Sequence, residues 1–193
     1  MTDTQALVDL LQMLVTDPGT GGLIGLLLVA AVLDWRTLRI PNWLTVGGML
    51  FGLAYNATHA TSPGSGLATA ALGAAAGLAL LMPLYILRVL GAGDVKLMAA
   101  VGSVLGAGPV FTAVLFVFVA GGVAAVLFAV SRRASWRFFQ NLRFVAWGLA
   151  APASGAWRPG AAASMPSIGR LPYGMSICAG TVAFLVARQL GFV

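Results

Sequence analysis

Two aspartates in this sequence, Asp34 and Asp94, each stand at one end of a long apolar segment. A carboxylate at such a position is costly in free energy, which makes it a functional candidate by default. Two carboxylates that approach each other can share a proton, so that one acts as base and the other as acid on a water molecule between them. The pair therefore predicts hydrolysis of an amide bond without a metal ion.

Other side chains with catalytic potential are scarce. The remaining acids are Asp3, Asp9 and Asp17, and the sequence has no glutamate, one histidine and one cysteine. We therefore predict no metal site, and we predict no Ser-His-Asp triad because His59 falls in a predicted outer loop. Cys178 lies in an apolar stretch, where packing is its expected role.

The local setting of the two aspartates differs. Asp94 follows Gly91-Ala92-Gly93 and opens a predicted helix, where the helix dipole favours an anion. Lys96, the only lysine, follows two residues later. Asp34 closes a predicted helix, where the dipole disfavours an anion, so we expect Asp34 to hold the shared proton more often.

The elements that must position this pair are membrane helices. Hydrophobic residues make up 60% of the 193 residues and charged residues only 8%, against about 25% charged in an average soluble domain. This composition excludes a soluble globular protein, a disordered protein and, despite the net charge of +6, a nucleic-acid-binding protein. An apolar helix needs about 20 residues to cross a bilayer. We predict one all-α domain over 1–193, a polytopic membrane bundle of about six transmembrane helices at about 18–35, 42–58, 66–89, 94–106, 109–130 and 171–190.

Basic residues indicate the orientation of the bundle. With the N-terminus outside, ten of the eleven Lys and Arg residues fall in cytoplasmic loops and only Arg188 falls outside, as the positive-inside rule requires. Both termini and a surface segment at 1–17 are then periplasmic, and the aspartate pair is cytoplasmic. Residues 131–170 are predicted to form a cytoplasmic loop in which arginines alternate with Trp and Phe, a pattern that favours an interfacial helix over nucleic-acid binding.

Three segments together resemble the prepilin peptidases, which are membrane aspartyl proteases of the GxGD type. They are LDWRTLRIPNWLT around Asp34, GAGDVKL around Asp94 and the late LPYGMSICAG. The resemblance covers about 22–187 and implies that Asp34 and Asp94 are the catalytic pair. It also implies that a short basic leader is cleaved from pilin-like precursors at the cytoplasmic side of the bacterial inner membrane.

The same motifs contain further candidate site residues. Supporting roles beside the pair are expected for Gly91, Gly93, Lys96, Pro41 and Asn42. For Pro172, Tyr173 and Gly174 two interpretations stay open, because this segment could either start a helix at the interface or line the active site.

Larger members of that family carry a cytoplasmic segment with paired cysteines and methylate the new N-terminus with S-adenosylmethionine. This sequence has one cysteine, and its first apolar span begins near residue 18, so it resembles the compact subgroup that serves Flp (tight-adherence) pili. We therefore expect no methyltransferase activity and no cofactor, with a pilin-like precursor and the lipid bilayer as partners.

Two rival functions remain beside the peptidase. Paired intramembrane aspartates also occur in proton-coupled carriers, although we find no internal repeat of the kind that transporters show. A non-enzymatic membrane subunit for pilus assembly would account for the hydrophobicity but not for the two aspartates. The sequence leaves the oligomeric state open.

Overall fold

Six α-helices carry most of the residues that the computed structural model describes, which are residues 17–131 and 172–193. No strand occurs within these two ranges, so the predicted all-α class is confirmed. In chain order the helices are α1 (Pro18–Thr37), α2 (Asn42–His59), α3 (Pro63–Ile86), α4 (Ala92–Leu105), α5 (Ala107–Ser131) and α6 (Tyr173–Gln189).

Three of the described helices are long and apolar enough to cross a membrane, namely α1, α3 and the first 22 residues of α5. The chain is therefore a multi-pass membrane protein. Every helix begins and ends within three residues of its predicted span, because the proline, glycine and polar residues that interrupt the apolar segments also end the helices. The predicted surface segment at 1–17 and the predicted loop at 131–170 lie almost wholly outside the described residues.

The shortest of these helices, α4, lies at the centre of the bundle and contacts the other five. From Asp94 to Ser103 every residue of α4 is buried except Lys96, which is partly exposed. Its 14 residues rise about 21 Å at 1.5 Å per residue, less than the apolar thickness of a bilayer of about 30 Å. The surrounding helices, rather than the length of α4, therefore fix the depth of Asp94.

Helices α3 and α4 approach so closely that no side chain fits between them at their crossing. A Cβ on Gly73 would overlap the carbonyl group of Gly102, and a Cβ on Gly102 would overlap the carbonyl group of Gly73. Further along the same interface, Gly77 faces the carbonyl group of Met98. Small residues permit such backbone contact in lipid, where dispersion forces rather than the hydrophobic effect hold helices together.

The C-terminal end of α4 is fixed by a side chain of α2. Asn56 donates hydrogen bonds from Nδ2 to the carbonyl oxygens of Ser103 at 2.9 Å and Val104 at 3.1 Å. The last carbonyl groups of a helix have no partner within it, so these bonds satisfy polar groups that would otherwise be buried without one. With this end capped, α4 holds Asp94 at its other end.

Candidate active site

Four helix ends surround a cavity of about 630 Å³ at one end of the bundle. Asp34 comes from the last turn of α1, Asp94 from the first turn of α4 and Tyr173 from the start of α6, while Arg88 to Gly91 follow the end of α3. Asp34 is only 5% exposed and Asp94 only 9% exposed. The two aspartates are 60 residues apart in sequence, yet the fold places both on the wall of one cavity.

Asp94 is held by the turn that precedes its own helix. Its Oδ2 accepts a hydrogen bond of 3.0 Å from the backbone N–H of Gly91, and its own N–H donates to the Gly91 carbonyl oxygen at 3.1 Å. Gly91 is the N-cap of α4, so the carboxylate lies at the positive end of a helix dipole. This matches the setting that the sequence predicts for Asp94.

Asp34 is held from a different helix. Its Oδ2 accepts a buried hydrogen bond of 2.7 Å from the backbone N–H of Gly174, the second residue of α6. The sequence shows Asp34 only at the unfavourable C-terminal end of α1, whereas the structure also places it against the favourable N-terminal end of α6. The bias toward a protonated Asp34 expected from α1 alone is thereby opposed by a second helix.

Each carboxylate keeps one oxygen available. Within the described residues, neither Asp34 Oδ1 nor Asp94 Oδ1 has a hydrogen-bond partner, and the two side chains are close enough to interact electrostatically. One oxygen of each is therefore fixed by a backbone N–H while the other can bind water. This arrangement suits a pair that acts jointly on one water molecule.

The turn after α1 and the turn after α3 each contain a strained residue at the cavity. Leu38 (φ 52°) and Arg88 (φ 59°) are the only non-glycine residues with positive φ in the described part of the chain, and both line the cavity. For such residues this conformation is sparsely populated and costs about 1–3 kcal/mol. Sequence reasoning missed both positions, since Leu and Arg carry no local signal for a left-handed turn.

The residues predicted to support the pair also gather at this end of the bundle. Lys96 Nζ donates a 2.9 Å hydrogen bond to Asn42 Oδ1, which joins α4 to the start of α2. Pro41 is the N-cap of α2. A side chain at Gly93 would press on Ile40, with its Cβ about 3.1 Å from that of Ile40. These contacts hold the turn after Asp34 against the turn before Asp94.

The late motif reaches the cavity as well. Pro172 is the N-cap of α6, Tyr173 lines the cavity and Gly174 binds Asp34. The structure also adds Gly121 of α5, which sequence reasoning missed, as a neighbour of the Tyr173 ring on the cavity wall. Helix α5 has no polar residue near Gly121. Nothing in its sequence therefore distinguishes it from an ordinary membrane-spanning helix.

His59 and Cys178 lie away from the cavity. His59 is the last residue of α2, at the end opposite Asn42, and stacks on Tyr55 with ring centroids 4.4 Å apart. Cys178 is buried in the hydrophobic core. Among residues 17–131 and 172–193, no three His, Cys, Asp or Glu side chains group in a way that could hold a metal ion.

Comparisons with known proteins indicate a family for this chain. A sequence model described as the type IV leader peptidase family matches residues 22–126, a range that includes both Asp34 and Asp94. A protein from Klebsiella pneumoniae described as a prepilin leader peptidase/N-methyltransferase is 41% identical over 98 residues. That alignment covers 46% of this chain and 42% of the relative, so the chain matches less than half of that protein's length. No solved structure shows a significant match.

Proposed function

The chain belongs to the type IV leader peptidase family, and from this premise we propose that it is a membrane-embedded aspartic endopeptidase in which Asp34 and Asp94 activate water. The observation that carries the proposal is the shared cavity, whose wall includes both carboxylates. Each carboxylate is oriented by one backbone N–H, from Gly174 and from Gly91 respectively. A purely structural pair would need neither the cavity nor the two available oxygens.

The proposed reaction uses the pair in turn as base and acid. One ionised carboxylate takes a proton from water as the water oxygen attacks the amide carbon, and the protonated carboxyl group gives its proton to the carbonyl oxygen. The C–N bond then breaks as the first carboxyl group gives its proton to the leaving amine. The second carboxylate takes back a proton from a hydroxyl group of the intermediate, which reforms the carbonyl and restores the pair. Because the two groups interact, their protonation belongs to the pair rather than to either residue.

We propose a pilin-like precursor of the Flp type as the substrate, cleaved after its short basic leader. The motifs around Asp34 and Asp94 support this, as does the description of the Klebsiella relative as a prepilin leader peptidase. Cleavage would occur on the cytoplasmic side of the bacterial inner membrane, because Arg36, Arg39, Arg88 and Lys96 all belong to the end of the bundle that holds the cavity.

We propose hydrolysis alone, without methyl transfer. The 193 residues contain a single cysteine, Cys178, so they include no paired-cysteine module. When S-adenosylmethionine is added to the purified enzyme and cleaved pilin, the pilin mass should stay unchanged. A gain of one methyl group would overturn this part of the proposal and leave the peptidase assignment intact.

The peptidase activity is tested by co-expressing the chain with a pilin precursor and measuring the mass of the pilin, which falls when the leader is removed. Asp34→Asn and Asp94→Asn keep the side-chain size and remove the ionisable group, so we expect each to abolish leader removal. Asp17→Asn is the matched control, because Asp17 caps α1 at the end opposite the cavity. Near-normal cleavage by either Asp34→Asn or Asp94→Asn would refute the proposal.

A further inference from the structure

Tyr173 places a phenol at the cavity that holds Asp34 and Asp94. Its ring packs on Gly121 of α5, where any side chain would collide with the ring and the hydroxyl group. The residue after it, Gly174, is the one that orients Asp34. The start of α6 therefore fixes the position of the phenol relative to the carboxylates through neighbouring backbone atoms.

The Tyr173 hydroxyl group is free to bind a substrate. It has no hydrogen-bond partner among residues 17–131 and 172–193. Its oxygen is also not fully buried, since the fully buried side-chain atoms without a partner in these ranges are those of Ser176 and Thr181. It lies close enough to Asp94 for the two groups to interact electrostatically. A phenol is neutral at neutral pH and is a competent hydrogen-bond donor.

Amide hydrolysis creates a need for such a donor. When water attacks the amide carbon, negative charge develops on the carbonyl oxygen, and a preoriented donor that meets this oxygen lowers the barrier. The backbone N–H groups of Gly91 and Gly174 are already bound to Asp94 and Asp34. Arg88 also lines the cavity, but it is exposed, and water competes for its guanidinium group.

On the premise of the proposed peptidase activity, we propose that Tyr173 is a third catalytic residue, whose hydroxyl group donates a hydrogen bond to the substrate carbonyl oxygen as the tetrahedral intermediate forms. The water proton goes to the ionised aspartate and the water oxygen bonds to carbon. The carbonyl π bond opens onto the carbonyl oxygen, which takes the proton of the protonated aspartate while Tyr173 donates a hydrogen bond to it. Tyr173 keeps its proton throughout. When the C–N bond breaks, the first carboxyl group gives its proton to the leaving amine. A hydroxyl group of the intermediate returns a proton to the second aspartate, and the carbonyl double bond reforms.

The test is the kinetics of Tyr173→Phe on a purified pilin precursor in detergent micelles. Phenylalanine keeps the ring on Gly121 and removes only the donor, so we expect kcat to fall about 10- to 1,000-fold with KM within twofold of wild type and an unchanged thermal unfolding midpoint. Tyr85→Phe is the matched control, because Tyr85 is exposed near the end of α3 and does not line the cavity. It should retain wild-type kcat.

The outcomes separate the two proposals. If Asp34→Asn and Asp94→Asn are inactive and Tyr173→Phe has wild-type kcat, the role of Tyr173 is overturned and the peptidase stands. If the asparagine variants cleave normally, the peptidase itself fails. A second measurement uses a peptide inhibitor with a tetrahedral hydroxyl group in place of the scissile amide. Tyr173→Phe should weaken this inhibitor by about the same factor as kcat/KM, and an unchanged inhibition constant would also overturn the role.

Discussion

The backbone N–H of Gly174 donates a 2.7 Å hydrogen bond to Asp34 Oδ2 across 140 residues of sequence. Gly174 lies in the first turn of α6 and Asp34 in the last turn of α1. A Cβ at residue 174 would lie 2.9 Å from Oδ2 and 3.0 Å from the Cβ of Asp34. Only glycine therefore lets the backbone approach the carboxylate this closely without displacing it.

Gly174→Ala should reduce cleavage without unfolding the protein. Alanine is compatible with the first turn of a helix, but its methyl group displaces Asp34, and a shift of about 1 Å in a catalytic group can cost about 100-fold. We expect kcat/KM on the pilin precursor to fall about 10- to 100-fold. Gly25→Ala on α1, where the added methyl group meets open space, is the control. Wild-type cleavage by Gly174→Ala would show that this bond does not position Asp34.

Removal of the hydrogen bond between Lys96 and Asn42 should loosen the two turns that carry the aspartates. Lys96→Met keeps most of the side-chain length and removes the donor that binds Asn42 Oδ1. A hydrogen bond of this kind contributes about 0.5–1.5 kcal/mol, so we expect kcat to fall about 2- to 10-fold. Arg188→Met removes a cation at the opposite end of the bundle and should leave kcat unchanged.

A double-mutant cycle tests whether Lys96 and Asn42 act as a pair. If the hydrogen bond is what matters, Asn42→Ala combined with Lys96→Met should cost no more than the more severe single variant. Additive losses in the double variant would mean that the two side chains act independently of each other.

Gly102→Ala should destabilise the bundle, because its methyl group would meet the carbonyl group of Gly73. Overpacking at such a contact costs about 1–3 kcal/mol, and neither backbone can move away without separating α3 from α4. We expect a lower thermal unfolding midpoint in detergent. Gly47→Ala on α2 adds the same methyl group in open space and should leave the midpoint unchanged. An equal midpoint for both variants would contradict the close approach of α3 and α4.

Asp17 should make stability depend on pH at the end of the bundle away from the cavity. Burial opposes ionisation of this carboxylate, but hydrogen bonds from Thr20, Tyr55 and Gly19 outweigh burial and lower the pKa of Asp17 below its usual value of 3.8. The ionised form is thus favoured in the folded state. Its contribution to stability is fully present above the unfolded pKa and is lost as the pH falls through the lower, folded value.

Thermal unfolding of wild type and Asp17→Asn between pH 3 and pH 6 measures this contribution. The wild type should unfold at a higher temperature at pH 6, and the difference between the two proteins should narrow toward pH 3. Tyr55→Phe removes the 2.8 Å hydrogen bond to Asp17 Oδ1. Its unfolding temperature should therefore change less between pH 3 and pH 6 than that of the wild type. A difference that stays constant with pH would contradict the assigned pKa shift.

The helices and the position of Asp34 and Asp94 at helix ends were predictable from the sequence because both depend on local patterns. Long apolar segments interrupted by residues such as Pro41 and Pro109 specify helices and their ends. Carboxylates are so scarce in these segments that Asp34 and Asp94 stand out without knowledge of their partners. The predicted and observed ends of each helix agree within three residues, because the residues that end a helix lie in the nearby sequence.

The rest of the site depends on contacts between distant segments. The approach of Gly174 to Asp34, the packing of Tyr173 on Gly121 and the left-handed turn at Leu38 leave no pattern in the nearby sequence. Each follows from how α1, α5 and α6 pack, which depends on the fit of whole helix surfaces. No short stretch of the sequence specifies how these helix surfaces fit together.

The sequence by itself determined that this chain is an all-α membrane protein with two acids at the edges of its apolar segments, because composition and the length of those segments set the cost of transfer into lipid. Only the tertiary structure decided that Asp34 and Asp94 share one cavity and that each is oriented by a backbone N–H. The tertiary structure also placed Asp34 at the N-terminus of α6, just as Asp94 lies at the N-terminus of α4. A helix dipole stabilises an anion at its N-terminus even when that anion comes from a distant part of the chain.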